Sequence, residues 1–305
     1  MVKRDSTAKV GAGKARRIVA STVGALALFG AQASSAVTVI FPDFSGDTAR
    51  ALFTLNGAAD FPASPSGVLR LTPDEPSTAG SAFLSQGFLV NRSADFDTEF
   101  KFRISSTNVL TTERSDGFAF VVQGAGSGLL GQAGESLGYR GALTRDDSPV
   151  ALFPYFYAIE FDTYFNGATG DSGANEIAIT RTRPGPGGPV TDIIANLPLD
   201  EGFLDNGTAY TVKINYNFFS MDRRLQVGIY DDPSAGVLAS LVTTLPDDLF
   251  HFGGASTYFG FTGATGAGFA AHDILSWSFT VPEPGSLALL TLGLAGIAAA
   301  RRRRR

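Results

Sequence analysis

Between positions 158 and 171 the chain reads Ala-Ile-Glu-Phe-Asp-Thr-Tyr-Phe-Asn-Gly-Ala-Thr-Gly-Asp. As a strand, the first half puts Glu160 and Asp162 on one face, ~6 to 7 Å apart, with Ile159 and Phe161 on the other. Two ionised carboxylates that close repel each other unless a cation or a shared proton intervenes. Asn166 and Asp171 come next, on a glycine-rich loop able to curl back and add two oxygen donors. Calcium takes about six to eight oxygens at ~2.3 to 2.6 Å, which the side chains, the loop carbonyls and water can supply. A solvated acidic loop is the plainer alternative for this segment alone.

Positioning such residues requires strands, and the sequence is full of them. Phe96, Thr98, Phe100, Phe102 and Ile104 alternate with Asp95, Asp97, Glu99, Lys101 and Arg103, the pattern of a half-buried strand with one solvated face. Similar runs are expected at 118–122, 158–164, 176–180, 210–218, 225–230, 257–262 and 274–280. In the last, Leu275, Trp277 and Phe279 are expected on one face, which makes the single Trp a core residue. Asn206-Gly207 and Asp231-Asp232-Pro233 read as turns. The run Arg181 to Val190, with Pro-Gly-Pro-Gly-Gly-Pro inside it, is expected to be an exposed, mobile loop and not a central strand. Almost nothing between the two ends has helical period, and no internal repeat is evident. The economical fold class is all-β, a jelly-roll sandwich of two antiparallel sheets, with a short hydrophobic segment at each terminus.

The two ends read as addresses. Lys3, Arg4, Lys9, Lys14, Arg16 and Arg17 precede an apolar run from Ile18 to Gly30 and the small residues Ala33 to Ala36, the three regions of a secretory signal peptide. Residues 1–36 are assigned to it, with cleavage after Ala36. At the other end, Pro282-Glu283-Pro284, an apolar stretch from Gly285 to Ala300 and five arginines fill residues 282–305. A short hydrophobic helix stopped by a positive cluster halts in the inner membrane with the arginines in the cytoplasm. This order of parts resembles a PEP-CTERM sorting signal, which implies processing by an exosortase-type enzyme and delivery to the cell envelope or surface, or release. Residues 37–281 keep 13 Lys and Arg against 27 Asp and Glu. So acidic a body repels phosphate backbones, which argues against nucleic acid as a partner, and it suits hard cations. Cysteine is absent, so stability must come from packing.

Four segments of the body occur in a telling order: Ser115-Asp-Gly-Phe-Ala-Phe-Val-Val122, Gly134-Glu-Ser-Leu-Gly138, Ile159-Glu-Phe-Asp-Thr163, and Gly260-Phe-Thr-Gly-Ala-Thr-Gly266 leading to Ala271-His-Asp-Ile-Leu-Ser-Trp-Ser-Phe279. Together they resemble an L-type (legume-type) lectin domain over residues 37–281. The resemblance implies a carbohydrate ligand, calcium, no catalysis and room for a homo-oligomer. It implies that Asp116, after a cis peptide bond, binds sugar, and that Asp162, the Tyr164 carbonyl, Asn166 and Asp171 hold calcium. Asn166 would also donate to a sugar hydroxyl, Tyr164 would offer an aromatic face, and Ala267 and Gly268 would offer backbone N–H groups. In the loop from Gly134, Glu135 stands where the family has a sugar-facing glycine. A second divalent metal in the family uses a Glu, two Asp and a His. Glu160, Asp162 and Asp171 match, but Glu176 stands in place of the His. A further carboxylate favours calcium or magnesium over a transition metal.

Rival chemistries fare worse. Retaining glycoside hydrolysis needs two carboxyl groups about 5 to 5.5 Å apart. The hydrolases of this fold carry a second Glu two or three residues after the Asp, where this chain has Tyr164 and Phe165. His251 and His272-Asp273 lack a nucleophile motif, and Gly124-Ala-Gly-Ser-Gly128 lacks the helix that would make it a phosphate loop. A non-catalytic envelope or matrix protein that keeps the fold without using the site remains the main alternative.

Overall fold

The computed structural model describes residues 36–282, apart from 91, 108–113, 142–143, 146–147, 150–155, 168–169, 186–187, 219–221, 233, 235 and 251–255. Apart from Ala36 and Pro282, the segments expected to be terminal signals lie outside the described residues, as does His251. In chain order the elements are β1 (Ala36–Phe41), helix α1 (Asp47–Leu52), β2 (Phe53–Gly57), β3 (Leu69–Thr72), β4 (Ala79–Leu84), β5 (Phe96–Ser105), β6 (Gly117–Gln123), β7 (Leu129–Leu130), β8 (Thr144–Arg145), β9 (Ser148–Pro149) and β10 (Phe156–Asp162). They continue with β11 (Asn175–Gly185), β12 (Gly188–Leu199), β13 (Ala209–Asn217), β14 (Arg224–Tyr230), β15 (Ala239–Thr244), β16 (Tyr258–Ala264) and β17 (Ala271–Pro282). Two seven-stranded antiparallel sheets result, as the alternation requires. One runs β1-β17-β5-β13-β14-β15, with β3 also on β17, and the other runs β12-β11-β10-β6-β16-β4-β2. The small strands β7, β8 and β9 form a third sheet.

The inward faces are aromatic. Phe96, Phe100, Phe102 and Ile104 of β5 are buried while the intervening charged residues are partly or fully exposed. Phe100 packs against Phe102, Phe118, Phe120, Phe161 and Phe261, with centroids 5.1 to 6.5 Å apart. Rings at such distances add stabilisation beyond their buried area. Trp277 is core, as expected, and donates its indole N–H to Thr98 at 2.9 Å.

Two expectations are corrected. The ladder between β17 and β5 shifts register between Ile274 and Ser276, so an extra residue turns Leu275 out of phase with Trp277. Ile274, not Leu275, shares the core with Trp277 and Phe279. The run Arg181 to Val190 is also not a free loop. It is the far end of the β11–β12 hairpin, with Thr182 paired to Thr191 and Pro184 opposite Pro189. The prolines are tolerated because β11 leaves its other neighbour, β10, at Thr182, and β12 is an edge strand. Arg181 and Arg183 close on Asp192 across this ribbon.

His272 and Asp273 are structural, in keeping with the lack of a nucleophile motif around them. Asp273 accepts from Arg70 at 2.8 and 3.0 Å and from Arg103 at 3.4 Å. His272 shares a 2.5 Å hydrogen bond with Thr72. Burial pushes its imidazole down to about 4 from the usual 6.5.

This packing makes stability testable at two positions. Phe100→Ala should cost about 3 to 5 kcal/mol, read as a lowered urea midpoint. Because His272 resists protonation only when folded, its contribution is intact above its unfolded pKa near 6.5 and falls as pH drops toward 4. The total loss is roughly 3 kcal/mol. His272→Gln should flatten the stability profile over that window relative to wild type; an unchanged slope would contradict the assignment.

Candidate functional site

Parity places the chemistry on the outer side of the second sheet. Tyr157, Ile159 and Phe161 of β10 enter the core between the sheets, whereas Phe156 and Ala158 join a second apolar cluster with Phe83, Ala119, Val121, Leu129, Leu137 and Tyr139. Glu160 and Asp162 share that second face by alternation. In the registers, Asp162 lies opposite Gly117 on β6 and opposite Glu176 on β11. Directly opposed side chains in an antiparallel pair stand about 4.5 to 5.5 Å apart at Cβ. Gly117 has φ +138°, and a Cβ there would come within 2.3 Å of the Phe161 carbonyl oxygen, so only glycine fits beside Asp162.

β10 ends at Asp162, and the loop leading on to β11 folds back on it. Tyr164 N donates to Asp162 Oδ1 at 2.8 Å, Asn166 N donates to Asp171 Oδ2 at 2.6 Å, and Ser172 donates through N and Oγ to Glu176 Oε2 at 2.7 and 2.6 Å. The expected curl therefore exists, and it brings Asp162, Asn166, Asp171 and Glu176 to one end of the β10–β11 pair. Glu160, Asp162 and Glu176 are 0 to 2% exposed. Burial first, and then mutual repulsion with Asp171, holds Asp162 and Glu176 above the ordinary carboxylate range. For Glu160 burial leads and Asp162 adds to it. Among the described residues, no three of Asp, Glu, His and Cys gather closely enough to hold a metal ion by themselves. The Asn166 amide oxygen and the Tyr164 carbonyl would have to complete any calcium shell. An all-oxygen set fits a hard cation.

Glu160 does not join that loop. Arg140 Nη2 and the Tyr139 hydroxyl both donate to Glu160 Oε1, Arg140 Nε reaches the Tyr139 oxygen at 2.6 Å, and Thr180 Oγ1 lies 2.9 Å from the same oxygen. Sequence reasoning brings neither Arg140 nor Tyr139 to the site. The available signal is scarcity, because Arg140 is the only basic residue from 115 to 144 in an acidic body.

Asp116 sits where three loops meet. Its peptide bond to Ser115 is cis, its N donates to Ala264 O at 3.1 Å, and its O accepts from Thr163 N at 2.8 Å. Thr163 Oγ1 also reaches Asp116 O at 3.0 Å and Arg114 O at 2.7 Å, tying the Asp116 turn to the first residue after β10. Gly134 N donates to Thr265 O at 3.1 Å, and Thr262 Oγ1 donates to Leu137 O at 2.8 Å, so the loop from Gly134 is fastened to β16 and the glycine turn after it. A Cβ on Gly266 would lie 2.8 Å from Asp116 Oδ2, so the glycine allows the turn to come this close. Asp116 Oδ2 is buried without a hydrogen-bond partner. Burial, with the charge of Glu135 adding to it, pushes this carboxyl up to about 7. Glu135 and Ala267 are exposed, Gly134, Tyr164 and Asn166 are half-buried, and Gly268 is buried. Phe165, beside Tyr164, is an exposed aromatic at 54%.

The chain matches the family model described as the legume lectin domain over residues 36–288, and the PEP-CTERM protein-sorting motif over residues 280–305. Among curated relatives, the 2-acetamido-2-deoxy-D-galactose-binding seed lectin 2 of Cytisus scoparius is 30% identical over 200 residues, covering 63% of this chain and 73% of that protein. Favin from Vicia faba is 29% identical over 187 residues, covering 61% and 70%. The Bauhinia forficata lectin, solved in complex with GalNAc, superposes with a TM-score of 0.62 at 22% identity, covering 82% of this chain and all of that one. These relatives are lectins and not enzymes, in keeping with the missing second Glu after Asp162. With the family model spanning most of the sequence and the sandwich matching those of solved lectins, the chain belongs to the legume lectin domain family.

Proposed function

We propose that this is an exported, calcium-dependent sugar-binding protein whose ligand is an exopolysaccharide or a cell-surface glycan. The observation that carries the reading is Asp116. It is a buried carboxylate with one oxygen lacking a donor, held by backbone hydrogen bonds where the glycine turn, the Gly134 loop and the residue after β10 converge. Leaving a buried acceptor unpaired is costly, and a ligand hydroxyl is the donor that would satisfy it. The seed lectin of Cytisus is named for binding an acetamido sugar, and the Bauhinia lectin was solved with one, which supports the same class of ligand here.

In this reading Asp116 accepts from sugar hydroxyls, the Asn166 amide donates to one, and Tyr164 lends an aromatic face. Ala267 and Gly268 offer backbone N–H groups, while Gly134, whose own N–H is given to Thr265 O, shapes the loop beside them. Glu135 adds an acceptor and a charge there, which alters the choice of sugar. Asp162, the Tyr164 carbonyl, Asn166 and Asp171 hold calcium, which offsets the repulsion among the carboxylates. Ordering Asn166 before the ligand arrives lowers the entropic cost of binding. Residues 1–36 serve as the signal peptide, 37–281 as the lectin domain and 282–305 as the sorting signal read by an exosortase-type enzyme. Among the described residues no helix is long and apolar enough to cross a membrane, and the apolar segment at 285–300 lies outside them. Surface display would let many weak sites act together.

A glycan array and calorimetry with and without chelator test the sugar site. Binding should require calcium, and Asp116→Ala or Asn166→Ala should weaken it by roughly 100-fold while the circular dichroism spectrum is kept. Uniformly negative arrays on folded, calcium-loaded protein would refute the lectin reading in favour of a structural envelope role. Because the Asp116 carboxyl must be ionised to accept two hydroxyls, and burial raises it to about 7, affinity measured by calorimetry at a fixed saturating calcium concentration should fall as the pH is lowered and the carboxyl gains a proton. Replacing Pro282-Glu283-Pro284 with alanines should leave an unprocessed precursor in the inner membrane, seen as a larger band in membrane fractions.

A further inference from the structure

The structure assigns to Arg140 the place of a second metal ion: its guanidinium is a cation built into the chain, seated on Glu160 under the Gly134 loop. Glu160, Asp162, Asp171 and Glu176 supply four acids at one end of the β10–β11 pair, and the cluster needs positive charge to remain folded and ionised. A transition metal is the family's usual answer, but two features of this chain disagree with it.

The first is donor chemistry. Glu176 replaces the imidazole that such a metal favours, and its Oε2 is already engaged by Ser172 through both N and Oγ. The second is occupancy. Glu160 Oε1 is taken by Arg140 Nη2 and the Tyr139 hydroxyl together. Arg140 is held there from several sides. Its Nε meets the Tyr139 oxygen at 2.6 Å, its guanidinium carbon lies 5.2 Å from the centre of the Tyr139 ring, and its side chain is 13% exposed. Its backbone is fixed too, by Arg140 N to Ser136 O at 2.9 Å and Gln132 N to Arg140 O at 3.0 Å. Burial pulls the Arg140 guanidinium below its ordinary value, and the charges of Asp162, Asp171, Glu176 and Glu135 oppose this, so its charge is linked to the whole cluster. An arginine cannot be chelated or exchanged, and its planar fork suits a carboxylate better than lysine would. Glu176 Oε1, buried and without a hydrogen-bond partner, is the one feature that pulls the other way.

The inference rests on the reading of the Asp162–Asp171 loop as a calcium site, but its test is a separate count of manganese. Full-length protein equilibrated with calcium and manganese together, then freed of unbound ions, is analysed by atomic emission and by manganese electron paramagnetic resonance. No stoichiometric manganese should remain, whether or not calcium does. One bound manganese per chain in the wild type would overturn the assignment, and a lack of calcium would instead count against the calcium site. Arg140→Ala should then depend on divalent ions, its thermal midpoint rising with added manganese while that of wild type and Arg140→Lys stays put. An alanine variant as stable as wild type and as indifferent to manganese would also refute the proposal. If the alanine variant fails to fold at all, the wild-type count alone decides.

Discussion

The site depends on how negative charge is tolerated at the end of β10. Asp162 and Glu176 are cross-strand partners, Glu160 lies two residues back on the same face, and three of the cluster's four acids are essentially buried. Such a cluster would open the hairpin if left uncompensated, because burial and like charges both oppose ionisation. The surrounding structure answers this in local pieces. Ser172 and the backbone N–H groups of Tyr164 and Asn166 turn inward to the carboxylates, and Arg140 and Tyr139 close over Glu160. The loop from Gly134 to Arg140 is therefore a lid over charge as well as a rim of the candidate sugar site.

That dual use explains why loops distant in sequence are fastened so tightly to one another. Thr163 ties the end of β10 to the Asp116 turn, Asp116 N ties that turn to β16, and Thr265 ties the glycine turn to Gly134 and, through its hydroxyl, to Glu75 and Thr78. Backbone groups and the hydroxyls of Thr163 and Thr265 share these contacts, so position is held by the chain path and by two short side chains. Two glycines are fixed by close approach. At Gly117 a methyl group would strike the Phe161 carbonyl, and at Gly266 it would press on Asp116.

The sandwich is readable in the sequence because β5, β13 and β14 alternate, while β6 and β10 are mostly apolar runs buried on both faces, and the rings of β5 and β6 face inward. β1, β2, β3, β4, β12 and β15 escape such a reading, since short or mixed runs do not announce a period. Leu275 falls on the wrong face because a bulge inserts one residue and inverts parity, which no periodic reading can anticipate. The Pro-Gly run at 184–189 reads as a loop because proline signals a missing N–H, yet a strand pairing on one side only can spare that donor. At the site, the curl from Asp162 to Asp171 is legible in local spacing. Arg140 is not, because its meeting with Glu160 is a tertiary contact across 20 residues, made only when one face of β10 is covered by the Gly134 loop.

The β11–β12 ribbon bears on how copies of this protein coexist. β12 forms one margin of the second sheet, and along it Pro189 and Pro198 withhold the N–H groups that a foreign strand would need. An unpaired sheet edge is a general hazard, because strands of separate molecules can add to it edge to edge. A margin interrupted by imino acids and cross-linked by Arg181, Arg183 and Asp192 is a poor template for such growth. The edge is thereby guarded against strand addition without a disulfide to lock the sheet.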